Sequence, residues 1–290
     1  MKFGLRYCNT GVYASDMGKA VELVQAGEAA GFESAWTVEH TIIPEGYESS
    51  YPYSDSGKMP GIDAQTDLPD PLIWMSYVAA TTYKINLATG ILILSQHSPV
   101  VCAKQVATLD AISGGRVLLG IGVGWLREEF EIIGANFEQR GPRCDDYMKA
   151  MRALWQMERP SYDGEFVKFD GAYCKPKPAN GTVPLIVGGH SKAAARRAGR
   201  LGDGFFPARG SPGELFQIAR DTAIEHGRDP AEIEFTASLP DDLDEIPALA
   251  AMGVKRILVP VTGAAGLARR IRGPEDVAAW SDVVEKYADI

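Results

Sequence analysis

A carboxylate and an imidazole stand side by side at Glu39 and His40, directly after an apolar stretch that is typical of a buried strand. An imidazole changes its charge near neutral pH, and a neighbouring carboxylate can hydrogen-bond the ring or tune a redox centre. The alternative is a surface dipeptide at the start of a loop. Glu39 and His40 are therefore candidates for proton transfer.

A second candidate is an anion-binding loop between a short apolar strand and a helix. Ser191 is well placed as the N-cap of that helix, and the free backbone N–H groups and the dipole of a helix start attract anions. Lys192, Arg196 and Arg197 add positive charge nearby. A capping role without a ligand is the alternative. The loop residues are Gly188, Gly189, His190 and Ser191.

The third candidate is a buried strand that ends in three alternating glycines, Gly120, Gly122 and Gly124. Glycines at a strand end let the backbone come close to a ligand that a side chain would exclude. Their G-x-G-x-G spacing, followed by Trp125, does not fit the G-x-G-x-x-G pattern of dinucleotide-binding folds. Close packing at a barrel rim is the alternative.

Composition and charge argue against several classes of function. The 290 residues carry a formal net charge of -9, whereas proteins that bind nucleic acids or anionic membranes do so through clustered Lys and Arg. We therefore expect no nucleic acid and no membrane among the partners. The chain shows no apolar run of membrane-spanning length and no signal-peptide pattern, so a cytoplasmic location is expected.

The cysteines and histidines show no metal-ligand spacing. The four cysteines are scattered without a C-x-x-C pair, which predicts reduced, structural thiols. His97 and His226 have no evident partners and are expected to be structural or surface residues. No metal site is expected, and the lack of a G-x-S-x-G motif argues against a nucleophilic serine.

An alternation of apolar strands and helices must position these candidates. Near-continuous apolar strands separated by helical periods predict a parallel sheet that is covered on both faces. Eight such units favour an α/β fold of the (β/α)8 TIM-barrel class over a doubly wound sheet. The strands are predicted at residues 2–7, 34–38, 86–94, 116–123, 184–187, 203–206, 234–238 and 256–261.

Residues 1–290 are predicted to form a single domain with two insertions. Residues 41–68 are polar and rich in Gly, Pro, Ser and Tyr, and a loop of this size is a lid, a binding loop or a partly disordered segment. It leaves the second strand at the C-terminal face of the barrel, where active sites form. Residues 158–183 are predicted to form a hairpin and linker, and residues 274–287 the closing helix.

Short motifs cover nearly the whole chain. They include GFESAWTVEH at 31–40, DPL at 70–72, LATGI at 87–91, ATLD at 107–110, SGGR at 113–116, GIGVGW at 120–125 and PLIVGG at 184–189. In this combination the chain resembles the luciferase-like monooxygenase superfamily, and more narrowly its branch that uses the deazaflavin coenzyme F420. The motifs are specific for the superfamily and much less specific for the cofactor.

The resemblance implies a barrel that binds a flavin or deazaflavin beyond the carboxyl ends of its strands. It places His40, with Glu39, beside the redox-active ring, and a non-proline cis peptide at Thr89-Gly90 behind that ring. It also implies a homodimer. The residues implied to pass along the cofactor are Gly122, Val123, Gly124 and Trp125, and those implied to hold its phosphate are Gly188, Gly189, His190 and Ser191.

One departure concerns the substrate. Relatives that oxidise sugar phosphates carry an acidic residue in the loop after the fourth strand, where this chain has Val123 and Gly124. A less polar substrate is therefore expected, admitted under the 41–68 segment with its three tyrosines. Those tyrosines are Tyr47, Tyr51 and Tyr53.

Three functions are consistent with the sequence. The favoured one is an F420-dependent oxidoreductase that moves a hydride between the deazaflavin and a small organic substrate. The alternative is a monooxygenase that uses reduced FMN and oxygen. A deazaflavin cannot replace FMN in that reaction, because the deazaflavin carries carbon at position five. The third is a cofactor-binding barrel without turnover, against which the intact Glu39, His40 and both glycine loops argue.

Overall fold

The computed structural model describes residues 1–207, 212–262 and 270–290. Within these ranges short apolar strands alternate with helices. The strands are β1 (Lys2–Arg6), β2 (Ser34–Thr37), β3 (Asn86–Thr89), β4 (Leu92–Ile93), β5 (Val117–Gly122), β6 (Ser161–Asp163), β7 (Lys168–Asp170), β8 (Leu185–Gly188), β9 (Gly204–Phe206), β10 (Glu234–Ser238) and β11 (Val254–Pro260).

The helices cover the outside of the strands. None of those described is long and apolar enough to span a bilayer. They are α1 (Val12–Ser15), α2 (Met17–Ala29), α3 (Pro71–Ala79), α4 (Pro99–Ser113), α5 (Arg127–Ile132), α6 (Arg140–Gln156), α7 (Lys192–Leu201), α8 (Gly213–Glu225), α9 (Ile246–Ala251), α10 (Pro274–Ala278) and α11 (Ser281–Lys286), with short 3-10 helices at Leu94–Gln96, Pro230–Glu232 and Leu243–Glu245.

The strands close into a parallel barrel. Their order is β3-β2-β1-β11-β10-β9-β8-β5, and β3 also pairs with β5, which completes the ring. The first and last strands pair in register, with Lys2 opposite Arg256 and Arg6 opposite Pro260. The predicted TIM barrel is therefore confirmed, and all strand C-termini lie at one end of it.

Side chains alternate along each strand between two core layers. On β1, Phe3 and Leu5 belong to the large cluster between strands and helices, whereas the Arg6 guanidinium stacks over Phe206 inside the barrel. This alternation places Arg6 at the C-terminal mouth. The inner cluster consists of Trp36, Ala88, Ile186, Phe206 and Leu258.

The third barrel strand is interrupted, contrary to the single strand predicted over 86–94. A cis peptide joins Gly90 to Ile91, between β3 and β4, one residue later than the resemblance implies. The neighbouring β5 makes room for this bulge: a Cβ on Gly120 would lie 1.9 Å from the Thr89 carbonyl oxygen, and one on Gly122 would lie 2.5 Å from the Ile91 side chain. Close packing therefore explains these two glycines.

The two predicted insertions differ in structure. Residues 41–70 contain turns and bends but no helix or strand. The 158–183 segment contains the expected hairpin, in which β6 and β7 pair antiparallel with Tyr162 opposite Phe169. At the C-terminus, the single predicted helix is divided into α10 and α11, and Trp280 at the break packs against the rings of Phe3 and Phe32.

Candidate active site

A cavity of about 850 Å³ opens at the C-terminal ends of the barrel strands. This is the end where TIM-barrel enzymes place their active sites, and the volume suits a cofactor-sized ligand. A second cavity, of about 670 Å³, lies at the opposite end, beside Lys2 and Lys255. The predicted site residues in the wall of the first cavity are Glu39, His40, Gly90, Val123, Gly124, Trp125, Gly188, Gly189, His190 and Ser191.

His40 is held by a carboxylate from a distant part of the chain. Its Nδ1 lies 2.9 Å from Oε2 of Glu129, whose side chain is completely buried. The other oxygen of Glu129 accepts hydrogen bonds from the backbone N–H groups of Thr41 and Ile42. No described residue bonds the Nε2 atom of His40, so this ring nitrogen is the one available for proton transfer in the cavity.

Glu39 does not contact His40 but pairs with another histidine. Its Oε1 lies 2.9 Å from Nε2 of His97, and its Oε2 accepts the backbone N–H of Ile93. Burial opposes protonation of His97, but the hydrogen bond and charge of Glu39 raise its pKa above the ordinary 6.5. Successive residues of an extended chain point to opposite sides, so the Glu39 side chain points away from His40 and reaches His97. The expectation that His97 has no partner is therefore wrong.

Trp125 lies at the centre of an aromatic cluster. Its ring is 5.8 Å from that of His40 and meets it edge to face. It also contacts Tyr47 and Tyr51, at ring distances of 5.5 and 5.1 Å. These aromatic contacts place the indole between the imidazole and the 41–68 segment.

Two predicted cofactor-binding residues lie behind the cavity wall. Thr89 is fully buried, and its hydroxyl donates to the carbonyl oxygen of Gly120 at 2.6 Å. Gly122 packs against Ile91, which itself lines the cavity. Thr89 and Gly122 therefore support the bulge at Gly90–Ile91.

The predicted anion-binding loop has the expected helix start. The Ser191 hydroxyl accepts from the backbone N–H of Ala194 at 3.1 Å, which is an N-cap contact. The backbone N–H of His190 donates to the Tyr53 hydroxyl at 3.1 Å, and burial raises the pKa of that phenol. Gly189 has φ +122°, a conformation that a side chain would strain.

Two of the three nearby cations are engaged in ion pairs, and the third is exposed. Lys192 pairs with Glu214 at 2.7 Å, Arg197 pairs with Asp145, and Arg196 is exposed. Any attraction for an anion at this loop therefore comes chiefly from backbone N–H groups and the helix dipole.

Helix α5 holds the 41–68 segment at the cavity through hydrogen bonds to the Glu128 carboxylate. Glu128 accepts from the backbone N–H of Glu48 at 2.7 Å and from the backbone N–H and hydroxyl of Ser49 at 3.0 and 2.6 Å. Although burial opposes ionisation of Glu128, these bonds and the N–H of Glu128 itself lower its pKa to about 2. The fastened segment places Tyr51, Tyr53 and Met59 in the cavity wall.

The family model described as luciferase-like monooxygenase matches residues 2–280. The chain belongs to this family. An uncharacterised Mycobacterium tuberculosis protein is 35% identical over 178 residues, which are 61% of this chain and 63% of that protein. F420-dependent glucose-6-phosphate dehydrogenase of Mycobacterium avium is 31% identical over 212 residues, 71% of this chain and 58% of that protein. The chain thus spans less than two thirds of these relatives' length.

Among solved structures, the barrel of this luciferase-like protein is similar to that of an F420-dependent secondary alcohol dehydrogenase in complex with an F420-acetone adduct. The TM-score is 0.76, with 98% of both chains covered at 18% identity. At this identity the similarity shows the shared fold.

Sequence reasoning missed Glu129 and the partner of His97, and it named Tyr53 without its contact to the His190 loop. The signal for Glu129 was present, since Glu128 and Glu129 follow the glycines of the fourth barrel strand, where a barrel site collects its side chains. His97 and Tyr53 carried no such signal, because their partners at Glu39 and His190 are 58 and 137 residues away.

Proposed function

We propose that this protein is an F420-dependent oxidoreductase that moves a hydride between the deazaflavin and a small organic substrate. The observation that carries the proposal is that His40, paired with the buried Glu129, lies in the same cavity wall as the Gly188–Ser191 loop. Identity of 31% to an F420-dependent dehydrogenase supports it.

The cavity residues fit a flat ring that carries a phosphate. Gly90 and Ile91 give an apolar surface for the ring, with Val123 and Trp125 beside it. The backbone N–H of His190 now donates to the Tyr53 hydroxyl, an acceptor that a phosphate oxygen can replace. When bound, F420 supplies the carbon centre that exchanges the hydride.

His40 is the proposed proton carrier. With Nδ1 bonded to Glu129, the ring presents Nε2 for holding or moving a proton at the substrate. The carboxylate fixes the ring orientation and stabilises the protonated form. Trp125 and Tyr51 exclude water from this region by their aromatic contacts.

The second candidate is a monooxygenase that uses reduced FMN and oxygen, because the matching family model carries that description. Turnover assays distinguish the two functions. We expect alcohols or carbonyl compounds to exchange a hydride with F420 without oxygen, and reduced FMN with oxygen to give no product. Oxygenated product with FMN, and no turnover with F420, would overturn the proposal. Cofactor binding without any turnover would favour the non-catalytic barrel.

We also propose that residues 1–290 act as one domain in the cytoplasm. Pairing of β1 with β11 closes the barrel from both ends of the chain, which supports one folding unit. Cys8, Cys102, Cys144 and Cys174 are free and buried, and such thiols stay reduced in the cytoplasm.

We propose a homodimer formed through helices α3 and α4. Ile73, Tyr77, Val101 and Ile112 are exposed at helical spacing on these neighbouring helices, and exposed apolar patches mark association surfaces. Sedimentation should show a dimer that Ile73→Asp dissociates, whereas Ile224→Asp on α8, at similar exposure, leaves it intact. A wild-type monomer would refute this interface.

A further inference from the structure

Arg6 lies in the wall of the active-site cavity, and no carboxylate of the described residues pairs with it. Its side chain is 6% exposed, and its guanidinium stacks 4.5 Å from the Tyr7 ring and 4.8 Å from the Phe206 ring. Nη1 donates to the Ser238 hydroxyl at 3.2 Å. Nε is buried and has no hydrogen-bond partner among the described residues.

Two other buried arginines of this protein, Arg256 and Arg116, are compensated. Arg256 binds both oxygens of Glu33 at 2.8 Å and also pairs with Glu234. Arg116 donates to four carbonyl oxygens and a threonine hydroxyl. Arg143, like Arg6, has unbonded buried nitrogens, but it does not line the cavity. A buried charge without a partner is costly, so an uncompensated one in a cavity indicates a ligand.

The described residues supply no carboxylate counter-charge to Arg6. No described carboxylate forms an ion pair with Arg6, and the two stretches outside the described ranges, 208–211 and 263–269, contain no Asp or Glu. The excess positive charge at the cavity is therefore available to an anion.

Tyr7 adds a second unused polar group beside Arg6. Its hydroxyl is buried without a partner in the described structure, and burial raises its pKa, which keeps it a neutral donor. Tyr7 also has φ +68°, a strained conformation for a residue with a side chain. Such strain is typical of functional sites.

We propose that Arg6 and Tyr7 bind an oxyanion of the substrate, a carboxylate or phosphate on an otherwise apolar body. This inference rests on the proposed function, since it assigns a substrate class to the same cavity. It refines the expectation of a less polar substrate: the aromatic walls accept the body, and the guanidinium neutralises one anionic group.

The position of β1 favours assignment of this anion to the substrate. β1 lies four strands from β8 in the eight-stranded ring. The Arg6 side chain nevertheless reaches Phe206 on β9, and its charge acts on Tyr53, which contacts the Gly188–Ser191 loop. His40 follows β2, the strand next to β1. An anion bound at Arg6 therefore holds the substrate beside His40, while the backbone N–H groups of the Gly188–Ser191 loop hold the cofactor phosphate.

The test is calorimetric titration with benzoate and with its neutral isostere benzamide, in the presence and absence of F420. Wild type should bind benzoate at least about tenfold tighter than benzamide, as expected for hydrogen bonds to a charged group. Arg6→Gln should remove this preference, Tyr7→Phe should reduce it, and both should bind F420 as wild type does. Arg196→Gln, an exposed arginine with the same charge change, should keep it.

Several outcomes would overturn the inference. The first is equal affinity of wild type for benzoate and benzamide, and the second is no binding of either. The third is that Arg6→Gln loses affinity for F420 and keeps its affinity for benzoate, which would assign the anion to the cofactor. A benzoate preference without F420 binding would instead contradict the proposed function alone. If Arg6→Gln does not fold, thermal stabilisation of wild type by benzoate but not benzamide decides, because ligand binding raises the unfolding temperature.

Discussion

At the scale of single residues, the site is defined by two histidine–carboxylate pairs that cross between segments. His40 pairs with Glu129, and His97 pairs with Glu39. Each carboxylate also accepts a hydrogen bond from a backbone N–H group. These bonds fix the position of the carboxylate, which in turn orients its histidine. This arrangement gives the two neighbours, Glu39 and His40, separate roles.

Glu129→Gln should impair turnover while leaving F420 affinity unchanged. The amide cannot stabilise an imidazolium, so we expect turnover about 10- to 100-fold slower, as for other residues that orient a functional group. Glu129→Asp should restore part of the rate. Unchanged turnover in Glu129→Gln would show that Glu129 has no positioning role.

The His97–Glu39 pair should make stability depend on pH. Because the pKa of His97 is raised above 6.5 in the folded protein, its contribution is complete below 6.5 and is lost as pH rises through the folded value. Thermal unfolding measured across this window should show wild type losing its advantage over His97→Gln as pH rises. An advantage that stays constant with pH would contradict the pairing.

At the scale of elements, α5 connects the histidine to the cover of the site. Two successive residues on this short helix, Glu128 and Glu129, bind the 41–68 segment at Glu48–Ser49 and at Thr41–Ile42. Closure of the segment and orientation of His40 therefore depend on the same helix.

Glu128→Gln should loosen the 41–68 segment. The pKa of Glu128 lies at about 2 against an ordinary 4.5, so the carboxylate contacts are complete above 4.5 and are lost as pH falls towards 2. At neutral pH the variant should show faster hydrogen exchange in residues 41–68 than wild type. Glu131→Gln, exposed on the same helix, is the control; equal exchange in both variants would contradict this role.

The β5 glycines should be required by the bulge beside them. Gly122→Ala places a Cβ 2.5 Å from Ile91 and should reduce the free energy of unfolding by about 1–3 kcal/mol, the usual cost of overpacking. Denaturant unfolding measures this, with Gly213→Ala on α8 as an uncrowded control. The double variant Gly122→Ala, Ile91→Ala should lose less than the two single losses combined; strict additivity would rule out the contact.

At the scale of the whole molecule, the barrel could be predicted because its alternation of apolar strands and helices is local. All eight barrel strands were located, although the third is divided at Gly90–Ile91. Family motifs also identified ten of the residues that line the cavity, from Glu39 to Ser191. The roles of these residues in binding and catalysis remain predictions.

The contacts that define the site could not be predicted, because they join distant residues. His40 and Glu129 are 89 positions apart, and the uncompensated charge of Arg6 becomes visible only when its surroundings are known. Adjacency in sequence suggested Glu39 as the partner of His40, whereas extended backbone turns the two side chains apart.

Equilibrium titration with oxidised F420 and FMN, followed by fluorescence quenching, tests the central claim most directly. We predict saturable binding of F420 and none of FMN. Gly189→Ala, which strains the Gly188–Ser191 loop, should weaken F420 binding, whereas Gly227→Ala, at another positive-φ glycine after α8, should not. Binding of FMN without binding of F420 would contradict the account.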